Sequence, residues 1–196
     1  MKRSIPLLGA VLLGGCGLLG GKVPPSLMTL NPAASVAAQT SRSAASGETI
    51  TVIAPALVRE INTNRVPVRS GGIAIAYVED AQWVDTPDTL FRDLLSETIA
   101  ARTGRVVLSD RQRTLDPGAR LTGQLLAFSI DADRNEAVVT YDAALLRGEG
   151  ARVETRRSEA RVPVAAIDRA NVSTALNQAA NQVAGDIATW IGGPSR

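Results

Sequence analysis

Three long stretches, residues 120–132, 137–147 and 152–164, are separated by short hairpin turns at Asp133-Arg134-Asn135 and Gly148-Glu149-Gly150. Links this short join antiparallel neighbours, because a parallel crossover needs a dozen or more residues. The chain is therefore constrained to carry a three-strand meander. In the third stretch Val153 lies on one alternation, whereas Ala160, Val162 and Val164 lie on the other. That change of phase predicts a β-bulge near Arg156.

Shorter elements precede the meander. Residues 49–58 are rich in β-branched side chains and read as a strand. Residues 65–69 extend or pair with it, with Pro67 pointing to an edge position. After Gly71-Gly72 the run 73–78 is the most apolar strand candidate, and its composition predicts a central place in the sheet. Thr86-Pro87-Asp88 starts a helix: a candidate N-cap, a proline at the first helical position and an acid at the positive end of the dipole. Leu90, Phe91, Leu94, Leu95 and Ile99 follow at helical spacing until Gly104. Residues 105–109 make another short strand.

A second helix is predicted over residues 171–191, with Val172, Leu176, Ala179, Val183, Ile187 and Trp190 on one stripe. Its opposite face carries Ser173, Thr174, Asn177, Gln178, Asn181 and Gln182, polar but uncharged. Two readings stay open for that face, a neutral solvated surface and an interface with another subunit. The fold class is α+β: a mostly antiparallel, mixed sheet with two main helices packed on it.

The N-terminus has a different character. Lys2 and Arg3 precede an apolar run from residue 5 to 15, far short of the roughly 20 residues that span a bilayer. It fits the apolar region of a secretory signal. Leu13-Gly14-Gly15-Cys16 resembles the bacterial lipobox, in which a branched aliphatic and two small residues precede an acylated cysteine. Cys16 is the single cysteine of the chain, so no disulfide forms within it. The expected organisation is a signal peptide over 1–15, a lipid-anchored segment and flexible linker over 16–47, and a folded domain over 48–196. Within the second part, residues 33–46 read as low-complexity linker, and residues 26–32 as a possible short strand. Cys16 is the predicted lipidation site. Gly17, in place of Asp, points to the periplasmic side of the outer membrane.

Removing the signal takes Lys2 and Arg3 with it, leaving 19 of the 21 basic residues against 19 acidic ones. A neutral mature chain offers no nucleic-acid footprint. Histidine is absent, which excludes His-based triads, Cys–His pairs and His-ligated zinc. Asp131, Asp133 and Glu136 cluster, but without the glycine and terminal glutamate of a calcium loop they read as a polar hairpin turn. A hydrolase built from Ser, Asp or Glu alone would need a pocket of convergent carboxylates with shifted pKa values. No residue is nominated as catalytic, as a metal ligand or as a cofactor contact, and the chain is read as a non-enzyme.

Between residues 65 and 108 the sequence resembles the auxiliary lipoproteins of ABC-type transport systems, the PqiC-like, MCE-associated family. The resemblance rests on Arg65-Val66-Pro67-Val68-Arg69, on 73–77, and on Gln82-Trp83-Val84-Asp85-Thr86-Pro87 leading into Leu90, Leu94 and Leu95. Leu27-Met28-Thr29-Leu30-Asn31-Pro32 is similar to the family's opening strand, with Leu27 and Met28 where aromatics are usual, and the helix ending in Trp190 also matches. Trp83 itself reads as a core aromatic. The resemblance implies partnership with MCE-domain proteins and ABC transporter subunits moving lipids between inner and outer membranes, and a homo-oligomer. The alternative is a regulatory or assembly lipoprotein of another envelope machine, a peptidoglycan synthase or a lipopolysaccharide-export complex.

Overall fold

A computed structural model describes residues 26–116, 118–148 and 152–193. Cys16, the predicted lipidation site, and the lipobox-like residues before it lie outside the described residues, as does part of the second hairpin turn. The elements run β1 (Ile50–Val52), β2 (Ala56–Leu57), β3 (Arg65–Ser70), β4 (Ala74–Gln82), α1 (Pro87–Thr103), β5 (Val107–Leu108), β6 (Ala119–Asp131), β7 (Glu136–Arg147), β8 (Arg152–Pro163) and α2 (Arg169–Gly192). Together they form the expected α+β fold, an eight-stranded mixed sheet with both helices on one face.

β6 organises the sheet. One edge pairs antiparallel with β7 along its whole length, and β7 in turn pairs with β8, which gives the meander set by the two short turns. The other edge receives β1, β2 and β3 in succession, all parallel to it. β4 pairs antiparallel with β3 and closes that side. The predicted strand over 49–58 is broken into β1 and β2 by Ala54-Pro55.

The bulge lies in β6, not in β8. The β7–β8 register runs without a shift from Glu136↔Pro163 to Arg147↔Arg152. Val153 keeps the outward alternation and is 62% exposed, while Ser158, Ala160, Val162 and Val164 are buried under the helices. The register shift falls at Leu126, where β6 slips by one residue against β7. That extra residue lets Phe128 and Ile130 join the odd-numbered Leu121 and Leu125 in the core.

Two further expectations are corrected. The apolar run 73–78 is not central: β4 is an edge strand, with Ile73 94% and Ile75 49% exposed. Pro67 is not on an edge, since β3 lies between β4 and β6. Its missing N–H costs no ladder bond, because the parallel pairing with β6 begins one residue later, at Val68.

Thr86 caps α1 by position, without a side-chain bond to the helix backbone, and Gly104 ends it in the left-handed region at φ 72°. α2 is capped by Asp168, whose carboxylate accepts from the Asn171 N–H at 3.0 Å. Between helices and sheet, Trp83 is fully buried against Phe128, ring centres 5.3 Å apart, and Phe91 meets Tyr141 edge-on at 5.3 Å. The Tyr141 hydroxyl donates to the Thr122 carbonyl at 2.9 Å, and burial pushes its pKa upward.

The N-terminal segment belongs to the folded unit much earlier than residue 48. Met28 and Leu30 are core residues, and Met28 bridges Trp83 in parallel. The stretch read as linker lies along the helix layer as a strap. Asn31 N donates to Asn177 Oδ1 at 2.8 Å, Ala33 N to Asn181 Oδ1 at 2.7 Å, and Asn181 Nδ2 returns a bond to the Asn31 carbonyl at 2.8 Å. Farther on, Val36 N donates to Glu97, and Arg42 donates to the Ala100 carbonyl at 2.6 Å. Two residues of the uncharged face of α2, Asn177 and Asn181, are thereby accounted for, while Thr174, Gln178 and Gln182 on it are exposed. Amides carry a donor and an acceptor together, so they can satisfy the backbone of a strand that has no sheet neighbour.

Candidate interaction surface

Three surfaces could receive another molecule. The first is a cleft of about 860 Å³ between the strap, α1 and the segment after β5. Its charged lining is mixed: Arg42, Arg92, Arg105 and Arg111 face Asp93, Glu97 and Asp110. Several of these groups are already engaged, Glu97 by Val36 N, Arg42 by the last turn of α1 and Arg92 by Asp93. The cleft offers no single sign of charge and no convergent set of carboxylates.

The second surface is the face of the sheet turned away from the helices. Leu126, Ala127 and Val138 floor a depression of about 250 Å³. Ser129, Val138 and Thr140 are nearly buried although they point away from the helix layer. An ion-pair cluster rims the depression. Arg161 reaches Glu159 at 2.8 Å and Asp131 and Glu136 at 3.4 Å. The Thr140 hydroxyl, at 2.8 Å, and Arg161 hold Glu159 below the usual carboxylate range. On the same face Arg157 lowers the pKa of Asp142 through a two-pronged contact.

The acidic cluster at the β6–β7 turn belongs to this rim. Asp131 accepts from the backbone of Asp133 and Arg134, and Asp133 accepts from Gly71 N at 2.9 Å, tying the β3–β4 turn to the β6–β7 turn. These carboxylates are occupied by backbone amides and Arg161, as a polar turn requires. Among the described residues, no three metal-ligating side chains converge. Asp116 and Asp168 also have lowered pKa values, from hydrogen bonds with Thr49 and Gly47 and with Asn171 respectively. Every carboxylate with a resolved shift is pushed down, the pattern of structural pairing rather than of an acid poised near neutrality.

The third surface is the β3–β4 hairpin. Its tip, Gly71-Gly72-Ile73, projects Ile73 into solvent, and Ile75 follows on the side of the sheet away from the helices. Tyr77 lies under Arg65, whose guanidinium carbon is 4.2 Å from the ring centre. Sequence reasoning singled out the run itself but took its apolar character as a sign of burial. The signal that could have corrected this is the alternation of small and large residues, Ala74, Ala76 against Ile73, Ile75, Tyr77, which fits a strand with one open face.

Comparison with known proteins adds the following. A family model described as "ABC-type transport auxiliary lipoprotein component" matches residues 29–188. A crystal structure of a Xanthomonas campestris protein described under the family DUF330 is similar at TM-score 0.63 and 23% identity, covering 86% of this chain and 92% of that one. A solved structure of an uncharacterized protein is similar at TM-score 0.63 and 16% identity, covering 75% and 94%. A PelC dodecamer from Paraburkholderia phytofirmans aligns at TM-score 0.42 and 12% identity, covering 76% and 94%. No curated protein sequence matches the chain.

Proposed function

Since the chain belongs to the family of ABC-type transport auxiliary lipoprotein components, we propose that it is a non-catalytic, periplasm-facing subunit of an MCE-type lipid transport system, anchored to the outer membrane through acylated Cys16. The observation that carries this reading is the family match over residues 29–188, joined to a lipobox that ends thirteen residues before it. The partners are an MCE-domain protein and ABC transporter subunits, and self-association is part of the reading. Surfaces built from structural ion pairs and apolar strands fit a docking role better than a chemical one.

Docking of the strap changes how such a domain sits on its membrane. Ten Cα-to-Cα steps separate Cys16 from Ser26, where the described chain begins. At most about 3.5 Å per residue, they reach about 35 Å from the lipid. Two or three acyl chains give a lasting attachment, at about 0.8 kcal/mol per buried CH₂. The domain is therefore held near the bilayer surface, not on a long tether.

The reading is tested by affinity capture of the mature lipoprotein from detergent-solubilised envelopes. Recovery of an MCE-domain protein or a transporter ATPase or permease is the expected outcome. Captures that contain only another envelope machine refute it. Cys16→Ala should leave the chain unprocessed or released from the membrane fraction, and normal fractionation of that variant contradicts the anchor.

A further inference from the structure

β5 is the outermost strand beyond β1, and its free edge borders the cleft beside α1. Val106, Val107 and Leu108 carry no charge or proline that would discourage a further strand. The Ile50 N–H donates to the Val106 carbonyl at 3.1 Å, and Ile50 and Thr51 pair in parallel with Val107 and Leu108. In such a ladder the alternate residue, Val107, turns its N–H and C=O away from β1. No strand among the described residues meets them. The outward groups on either side are occupied. Arg42 donates to the Arg105 carbonyl at 3.4 Å, and the Gln112 side chain accepts from Ser109 N at 3.2 Å. The strap passes this edge without pairing with it, since Val36 N bonds to Glu97 of α1.

The charges around the edge do not balance once existing pairs are removed. Arg92 engages Asp93 at 2.7 Å, and Asp110 is held at 3.2 Å by Arg113, which lies outside the cleft lining. Glu97 is taken by Val36 N. Arg105 and Arg111 line the cleft with no carboxylate partner among the described residues, and Arg42 touches only carbonyl oxygens. Guanidiniums left in this way favour a carboxylate-bearing occupant. α1 lines the cleft from Arg92 to Ala100, about 12 Å at 1.5 Å per residue. That is the length of about four residues of extended chain.

We propose that the cleft takes an extended acidic peptide, added to β5 as an antiparallel strand. The peptide residue opposite Val107 exchanges both open hydrogen bonds with it. Its side chain lies on the face of the sheet that carries Val107 and Ile50, against the core, so an apolar β-branched residue suits that place. Two positions along, a peptide side chain returns to the same face opposite Arg105, and an acid there forms a cross-strand ion pair. An acid two positions in the other direction comes within reach of Arg111. The recognised pattern is acid, any residue, apolar, any residue, acid. A phosphate group alone would satisfy the guanidiniums but leave the Val107 backbone and the apolar wall unused, so the edge favours a peptide. The proposal gives the chemistry of a partner for the docking role above, but does not depend on which machine supplies it.

Fluorescently labelled Gly-Glu-Thr-Val-Thr-Glu-Gly, titrated into the full-length protein in detergent, provides the test by anisotropy, with amide hydrogen exchange as a second readout. The peptide should bind saturably and slow exchange of the Val107 N–H. Its counterpart with lysine at both acidic places should not bind. Arg105→Glu with Arg111→Glu should lower affinity for the acidic peptide at least about tenfold and confer binding of the lysine peptide, a reversal that misfolding cannot produce. Methylating the nitrogen of the peptide's valine removes the bond to the Val107 carbonyl and should weaken binding about fivefold. Equal binding of the two peptides, or an unchanged Val107 exchange rate, overturns the proposal. So does protection of Val107 by inorganic phosphate or phosphatidylglycerol micelles without protection by the peptide. Peptide binding by a chain that captures no MCE-domain protein would refute the transport reading alone, so the two can fail separately.

Discussion

Removing the amides that hold the strap should free it without unfolding the domain. Asn177 and Asn181 make three hydrogen bonds to strap backbone, at 2.8, 2.7 and 2.8 Å. Each is exposed, so a net value at the low end, about 0.7 kcal/mol, is appropriate. Together they contribute about 2 kcal/mol, or roughly a thirtyfold change in the opening equilibrium. Alanine favours a helix more than asparagine does, so Asn177→Ala with Asn181→Ala does not weaken α2 itself. Met28 and Leu30 remain in the core and keep the start of the segment in place. Amide hydrogen exchange is the assay. Ala33 N–H should exchange about thirtyfold faster in the double variant, while amides in β6 and β7 are unchanged. Asn181→Asp gives an intermediate case, keeping the acceptor for Ala33 N but facing the Asn31 carbonyl with a second acceptor. If Ala33 exchanges equally fast in wild type and double variant, the amide clamp is refuted.

Two other outcomes follow from close packing and from titration. A Cβ added at Gly123 would lie 2.1 Å from the Asp142 carbonyl oxygen and 2.8 Å from the Tyr141 ring, both on β7; Gly123→Ala should cost about 3 kcal/mol in urea denaturation, and an unchanged midpoint would contradict the β6–β7 register. The Asp116 carboxylate accepts from Thr49 Oγ1 at 2.6 Å and Gly47 N at 2.7 Å, which lower its pKa. Its stabilising contribution is therefore present above the ordinary aspartate value of 3.8 and is lost as pH falls below it; Asp116→Asn should flatten that part of the urea-midpoint profile, and a profile identical to wild type would remove Asp116 from the account.

The parts of the fold that were legible in sequence are those set by local chemistry. Short polar turns dictated the β6–β7–β8 meander, and proline with a following acid marked the start of α1. Gly104 marked its end because the left-handed region suits glycine. What failed depended on partners distant in sequence. Residues 73–78 look central on hydropathy alone, since sequence carries no record of whether a second strand will cover an edge. Residues 33–46 look like linker because small polar residues bury little area; their attachment comes from partners distant in sequence, Asn181 for Ala33, Glu97 for Val36 and the Ala100 carbonyl for Arg42. The bulge was misplaced because Val153 is an exposed apolar side chain on the outward alternation of β8, so it marked no change of phase, and the bulge at Leu126 of β6 shows only in its pairing with β7. Of the candidate surfaces, the hairpin residues were visible in the sequence, but their exposure was not.

The place of β6 has a consequence for the order in which this chain can fold. β1, β2 and β3 all dock on a strand that begins only at Ala119, and β1 also waits for β5. As the chain emerges, its first half presents hydrophobic strands with no template to receive them. The meander, by contrast, closes from neighbouring segments once its last strand has been made. Folding should thus nucleate late and spread backward, with the N-terminal strands unsheltered in the interval. A C-terminally truncated chain ending before Ala119 should be protease-sensitive throughout and prone to aggregate.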